Sequence, residues 1–150
     1  MSPPNIRRGR PADLPAVLAL LESARLPTAD IANIDEPQVW VLEDRERIVG
    51  VVALERFGSE GLLRSLAIAP DYRNRGFGRE LVTHVEQIAR ADNVSQLLLL
   101  TETAEVFFRA LGYSTLDRRN VSDRLRQSAE FRSLCPASAS CMSKILARPS

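Results

Sequence analysis

A single mixed α/β domain is the fold class this sequence predicts, and three observations carry it. An apolar run from Leu62 to Ala69, closed by Pro70, passes through a basic, glycine-bearing turn into a segment of helical periodicity, so strand, turn and helix follow in succession. β-Branched runs at Val39 to Glu43 and Ile48 to Leu54 flank the charged tetrad Asp44-Arg45-Glu46-Arg47, which is a hairpin signal. Apolar stripes at helical spacing recur three times: Leu14, Val17, Leu18 and Leu21; Leu81, Val82, Val85, Ile88 and Ala89; and Ala104, Phe107, Phe108 and Leu111.

A chain of 150 residues fits one domain, 1–150, with room for a proper core. Its formal net charge of +1 argues against a nucleic-acid footprint or polybasic membrane binding. The opening Met1-Ser2-Pro3-Pro4-Asn5 leads straight into charge, without an apolar signal segment, so the expected location is the cytoplasm. Cys135 and Cys141 are close enough in sequence to meet, but that compartment disfavours a disulfide and predicts reduced thiols.

In chain order, Asn5 to Gly9 reads as a short opening strand, and Pro11 to Ala24 as a helix started by Arg10-Pro11-Ala12-Asp13 and ended by Leu26-Pro27. Thr28 to Ile34 suggests a second short helix. After the hairpin, Gly58-Ser59-Glu60-Gly61 turns the chain into the central stretch. Asp92-Asn93 breaks the helix that follows it, and Gln96 to Thr101 is apolar throughout, as for a strand covered on both faces and central in the sheet. The helix over Ala104 to Leu111 stops at Gly112. Asn120 to Phe131 has capping residues and a modest helical pattern, and Ala139 to Leu146 alternates like a closing strand.

The turn carries Arg73-x-x-Gly76-x-Gly78 between an apolar strand and an amphipathic helix. Glycines there let backbone amides approach a ligand, and the positive end of the next helix favours an anion, so a phosphate-bearing ligand is the natural occupant. No Lys-Ser or Lys-Thr pair follows, as a P-loop requires, and the three-glycine dinucleotide spacing is incomplete. The segment resembles the acetyl-coenzyme A signature of the GNAT N-acetyltransferases, Gln/Arg-x-x-Gly-x-Gly/Ala.

A second block, Thr101-x-x-Ala104-x-x-Phe107-Phe108-x-x-Leu111-Gly112-Tyr113, resembles that family's Asn-x-x-Ala-x-x-Phe/Tyr-Tyr-x-x-x-Gly-Phe/Tyr. Thr101 stands where the family often has asparagine. Phe108 stands at the usual tyrosine, whose hydroxyl commonly protonates the departing thiolate. By this resemblance the thiolate leaves unaided, or is met by water, by Tyr113 or by a hydroxyl such as Ser65. The tail, Phe131-x-x-Leu134-Cys135-Pro136-Ala137-Ser138-Ala139-x-Cys141-Met142, together with the signature resembles the arsenic-resistance N-acetyltransferase subgroup.

The resemblance implies a GNAT domain with a central, mostly antiparallel sheet flanked by helices and splayed between its fourth and fifth strands. It implies acetyl transfer from acetyl-CoA, as co-substrate, to a small-molecule amine, in a monomer or homodimer. Backbone groups at Leu66, Ala67 and Ile68 would hold the pantetheine, with Leu66 polarising the thioester. Amides of Arg73, Asn74, Arg75, Gly76, Phe77, Gly78 and Arg79 would hold the pyrophosphate, and Thr101, Phe107 and Phe108 would wall the pocket. Relatives of the arsenic-linked type act on amino-acid-like compounds, so the resemblance extends the expected acceptors to an amino-acid-like organoarsenical or a related toxin, and the expected role to arsenic resistance.

Other residues keep two readings. Alternation aims Arg64 opposite to Leu63, either into the acceptor cleft, where it would hold an anionic group, or into a sheet-face salt bridge. Cys135 and Cys141 would bind a trivalent arsenical, or are small buried hydrophobes. His84 reads as a helix-face residue rather than a base, and no metal-ligating constellation or Ser-His-Asp set is evident. Glu43, Glu55 and Glu60 are the nearby carboxylates, none an evident base, so the acceptor's proton is expected to leave through water. A non-catalytic module binding acyl-CoA or an arsenical is the alternative reading.

Overall fold

A computed structural model describes residues 3–26, 28, 38–126 and 139–146. Its strands are β1 (Asn5–Arg8), β2 (Gln38–Asp44), β3 (Arg47–Phe57), β4 (Glu60–Ile68), β5 (Gln96–Thr101), β6 (Ser114–Thr115) and β7 (Ser140–Ile145). The helices are α1 (Leu14–Ser23), α2 (Phe77–Ala91), α3 (Glu105–Ala110) and α4 (Asp123–Arg126). Helices flank one mixed sheet, ordered β1-β2-β3-β4-β5-β7-β6, in which β5 is an interior strand. Where its register is defined the sheet is antiparallel except for β4 with β5, which run parallel through Glu60↔Gln96, Gly61↔Leu97 and Leu62↔Leu98. Both strands continue past those three pairs, in keeping with a splay.

The residues cluster into two compact units: one up to Glu55 plus Leu63–Val85, the other Arg56–Leu62 with the chain from Glu86 onward. In the first unit, β2 and β3 form the expected hairpin. Asp44 pairs with Arg47, which leaves Arg45 and Glu46 as a two-residue turn with both φ positive, at 53° and 66°. That pattern suits the twist of a tight hairpin but usually recruits Asn-Gly, so strand pairing overrides an unfavourable local preference here. The buried apolar residues of this unit include Val17 and Leu21 of α1, Val39, Val41, Val51 and Ala53 on one face of the hairpin, and Leu81, Val82 and Val85 of α2. On the other face Gly50 lets α2 and the end of β4 come close: a Cβ there would lie 3.0 Å from Ile68 Cδ1 and 3.2 Å from Leu81 Cδ1.

In the second unit Leu62, Leu98, Val121, Leu125 and Cys141 form a buried cluster, with Phe57, Leu100 and Leu116 packed against it. Asn93 and Gly112 end α2 and α3 in left-handed conformation, at φ 65° and 98°. At each helix end the next N–H returns to a carbonyl five residues back, Val94 to Ala89 and Tyr113 to Phe108, the paired closure of a Schellman motif. The helix read over Pro11 to Ala24 is a 3₁₀ turn at Pro11–Asp13 followed by α1. α4 is the described part of the helical pattern after Asn120, and β6 carries no period long enough to read. The short helix expected over Thr28 to Ile34 and the tail from Phe131 to Ser138 fall on residues outside the description, Thr28 excepted. No helix among the described residues is long and apolar enough to cross a membrane.

Candidate active site

The first unit carries the signature turn. At the exit of β4 the Ala69 N–H donates to Val49 O at 2.8 Å, and the Tyr72 N–H returns to Ala69 O at 2.8 Å, forming a 3₁₀ turn at Pro70–Tyr72. Arg73 is extended, whereas Asn74 and Gly76 are left-handed at φ 62° and 85°. Two left-handed residues so close together swing the backbone round to launch α2 at Phe77. The Glu80 N–H reaches Gly76 O at 3.1 Å, so helical geometry leaves the amides of Phe77, Gly78 and Arg79 without an intrahelical acceptor. A Cβ placed on Gly76 would meet no heavy atom within 4 Å. Open space, orphan amides and the positive end of a helix suit a phosphate.

An ion pair and a hydrogen bond fasten this turn to the hairpin. Arg47 Nη1 sits 2.9 Å from Asp71 Oδ2, and the Tyr72 hydroxyl donates to Asp44. The Arg47 guanidinium holds the Asp71 carboxyl below the usual carboxylate range, and the Asp44 carboxylate pushes the Tyr72 phenol up. The Arg73 side chain turns back, its Nε donating to Ile68 O at 3.0 Å.

β4 contains a feature that no local signal announces: Ser65, buried within the strand, is left-handed at φ 59°. A non-glycine residue held there is strained, and it breaks the regular alternation just before the Leu66 amide. Leu66 and Ile68 are half-buried and Ala67 is buried. Arg64 is buried too, its side chain 1% exposed, with Nη1 2.5 Å from Glu55 Oε1 and Nε 3.4 Å from Ser65 Oγ. Of its two readings, the sheet-face ion pair is present.

The second unit carries the second block. Thr101 Oγ1 accepts from the Ala104 N–H at 2.9 Å and so fixes the turn that leads into α3, a bond an asparagine side chain could also make. Phe107 is half-buried and Phe108 buried, their rings edge to face with centroids 5.0 Å apart. Phe108 also meets Tyr113 edge-on at 5.6 Å. The buried Tyr113 hydroxyl donates to Glu86 Oε2 at 2.9 Å, and Lys144 Nζ reaches both Glu86 oxygens, at 3.1 and 3.2 Å, and Leu111 O at 2.9 Å. Burial, and then the Glu86 carboxylate, push the Tyr113 phenol far above its ordinary range. The hydroxyl proton of Tyr113 is thus engaged by Glu86.

Cys141 lies in the apolar cluster, where burial pushes its thiol up and disfavours a thiolate. Cys135 lies outside the described residues. His84 is half-buried edge-on to Trp40 at 5.8 Å, and burial lowers its pKa. Sequence reasoning missed the Glu86–Lys144 pair, although Glu86 stands between Val82 and Ala89 on the apolar face of α2, a position where a carboxylate needs a partner.

The acetyltransferase (GNAT) domain model matches residues 35–115, more than half of the chain. An amino-acid acetyltransferase of Ralstonia nicotianae is 36% identical over 91 residues, which cover 59% of this chain but only 19% of that protein. A Chlorobaculum tepidum N-acetyltransferase is 24% identical over 91% of this chain and 90% of its own length. Among solved structures, the N-acetylglutamate synthase of Neisseria gonorrhoeae complexed with coenzyme A and L-arginine superposes with a TM-score of 0.84 at 22% identity, over 99% of this chain and 34% of that one. A Mycobacterium tuberculosis protein in complex with CoA superposes with a TM-score of 0.81 at 26% identity, over 96% of this chain and 100% of that one. With its signature turn and this match, the chain belongs to the GNAT acetyltransferase family, acyltransferases for which acetyl-CoA is the acetyl donor.

Proposed function

We propose that this protein transfers the acetyl group of acetyl-CoA to the primary amine of a small, amino-acid-like acceptor. The observation that carries the reading is the Arg73-to-Arg79 turn, where left-handed Asn74 and Gly76 leave open space against the unpaired amides that begin α2. Those amides hold the pyrophosphate, and the backbone of Leu66 to Ile68 holds the pantetheine. The Leu66 amide, re-aimed by the kink at Ser65, donates to the thioester oxygen. The neutral amine nitrogen attacks the carbonyl carbon, negative charge collects on that oxygen, and the C–S bond then breaks to release the thiolate. One amine proton leaves through water, and solvent supplies the thiolate's proton, because Phe108 has none to give and Tyr113 is engaged. Positioning and electrostatics then carry most of the rate.

Amino-acid acetyltransferases among the relatives support an acceptor bearing a carboxylate. Arg64 is the proposed cation for that group, its guanidinium fork held in place by Glu55. A carboxylate, or the arsinic group of an organoarsenical amino acid, would join or displace Glu55 there. The test is coenzyme A release over a panel of acidic, neutral and basic amino acids, an organoarsenical amino acid and a polyamine without a carboxylate. Turnover is expected only with acceptors carrying an anion. Arg64→Ala should raise the acceptor KM at least about tenfold with acetyl-CoA affinity little changed. Tight CoA binding without turnover on any amine would instead indicate a binding module.

A further inference from the structure

The signature turn contains a cation whose placement the backbone reading does not use. Arg75 is exposed, and its guanidinium carbon lies 4.9 Å from the centroid of the Tyr72 ring and 5.4 Å from that of Phe77. The two rings are 6.0 Å apart and inclined at 46°, so the guanidinium rests over a pair of adjacent rings. Tyr72 is itself fixed, by its hydroxyl bond to Asp44 and by Arg47, whose guanidinium carbon lies 5.7 Å from the ring centroid. Arg47 is neutralised by Asp71, and Arg73 is turned back onto Ile68 O. Among the described residues the N–H groups of Arg75 meet no hydrogen-bond or ion-pair partner. Stacking restrains a guanidinium by its faces while leaving its edge donors outward, and that edge matches the oxygens of a phosphate. Immediately beside it, at Gly76, the backbone borders open space.

We infer that Arg75 is a specificity-determining residue: held over Tyr72 and Phe77, it binds the terminal phosphomonoester on the ribose of coenzyme A and selects for coenzymes that carry it. The inference rests on the reading of this turn as the pyrophosphate site. It divides the labour there by chemistry. Backbone amides take the singly charged oxygens of the diester-like pyrophosphate, which every adenine-nucleotide thioester shares. A side-chain guanidinium takes the phosphomonoester, whose second ionisation near neutral pH rewards a full positive charge.

Calorimetric titration with coenzyme A and with dephospho-coenzyme A, at low and raised salt, tests it. The unaltered protein should prefer coenzyme A by about tenfold at low salt, as a charge-assisted contact at an exposed site predicts, and the preference should shrink as salt screens it. Arg75→Gln should bring the ratio close to one while leaving dephospho-coenzyme A affinity nearly as it was. Phe77→Leu, which removes one of the two rings, should lower the ratio part of the way. Arg79→Gln provides the comparison within the same turn: it removes a neighbouring cation but keeps the backbone amide, and should leave the ratio standing. Equal affinity of the unaltered protein for both ligands, an unchanged ratio in Arg75→Gln, or a ratio that follows Arg79 would each overturn the inference and leave the coenzyme reading intact. Failure of the unaltered protein to bind either ligand would remove both.

Discussion

Two polar clusters, one in each unit, use the same kinds of residue to opposite ends. Around the signature turn, arginines meet aromatic rings and carboxylates at the surface, and the cluster stays open: Gly76 borders empty space and the Arg75 donors meet no partner among the described residues. Around Glu86, a carboxylate, an ammonium and a phenol are closed on one another, with Glu86 only 5% exposed and each oxygen of its carboxylate engaged. A polar group that has been desolvated must find its partner inside the protein, whereas a solvated one can wait for a ligand. Closed networks therefore mark stability, and open ones mark binding.

Glu86→Ala is the strongest way to break that contrast. It strands the Lys144 ammonium and the buried Tyr113 hydroxyl, and removing one member of a buried pair destabilises by about 3–5 kcal/mol. Lys144 keeps some access to water, so the low end of that range is expected in a urea titration. Removal of Arg47 from the exposed pair with Asp71 should leave the urea midpoint essentially where it was. Equal losses from the two substitutions would erase the distinction between the clusters.

Gly76 gives the next largest effect, on binding. Gly76→Val forces a β-branched residue to φ 85°, with a stability loss of about 1–2 kcal/mol, and fills the space beside the amides, so acetyl-CoA affinity should fall at least about tenfold. Gly76→Asn sharpens the test, since asparagine tolerates the left-handed region while still placing a Cβ in that space. A folded Asn variant with undiminished affinity would show that the glycine serves conformation alone.

Tyr113 supplies a pH-dependent version. Its phenol titrates above the ordinary 10.0 in the folded protein, so the folded state keeps a proton that the unfolded chain releases. The stabilisation is whole below pH 10 and is lost as pH rises beyond it. Urea midpoints from about pH 9 to about pH 11 should decline, and Tyr113→Phe should flatten the decline. An unchanged slope in that variant would place the alkaline loss elsewhere. The smallest effect is expected from Phe108→Tyr. The ring is only 5% exposed, and on the proposed reading an added hydroxyl supplies the thiolate with a proton, so turnover at neutral pH should rise by a few-fold at most. A large loss of activity in a folded variant would mean that the ring's shape matters more than the proton.

What the sequence by itself determined is what depends on neighbours in the chain. The hairpin around Asp44 to Arg47, the helical stripes, and the strand, turn and helix from Leu62 to Val82 were all legible, because periodicity, glycine placement and capping act over a few residues. The second block was legible for the same reason, down to the stop at Gly112. Only the tertiary structure decided which polar groups meet. Glu55 lies nine residues from Arg64 along the chain but on the adjacent strand, and Glu86 is separated from Tyr113 by 27 residues and from Lys144 by 58. The left-handed Ser65 belongs with these, since serine has no intrinsic reason to adopt that conformation and a surrounding sheet must impose it. So does the seating of Arg75 over Tyr72 and Phe77, because whether a guanidinium rests on a ring or reaches into solvent is settled by where the turn sets the rings.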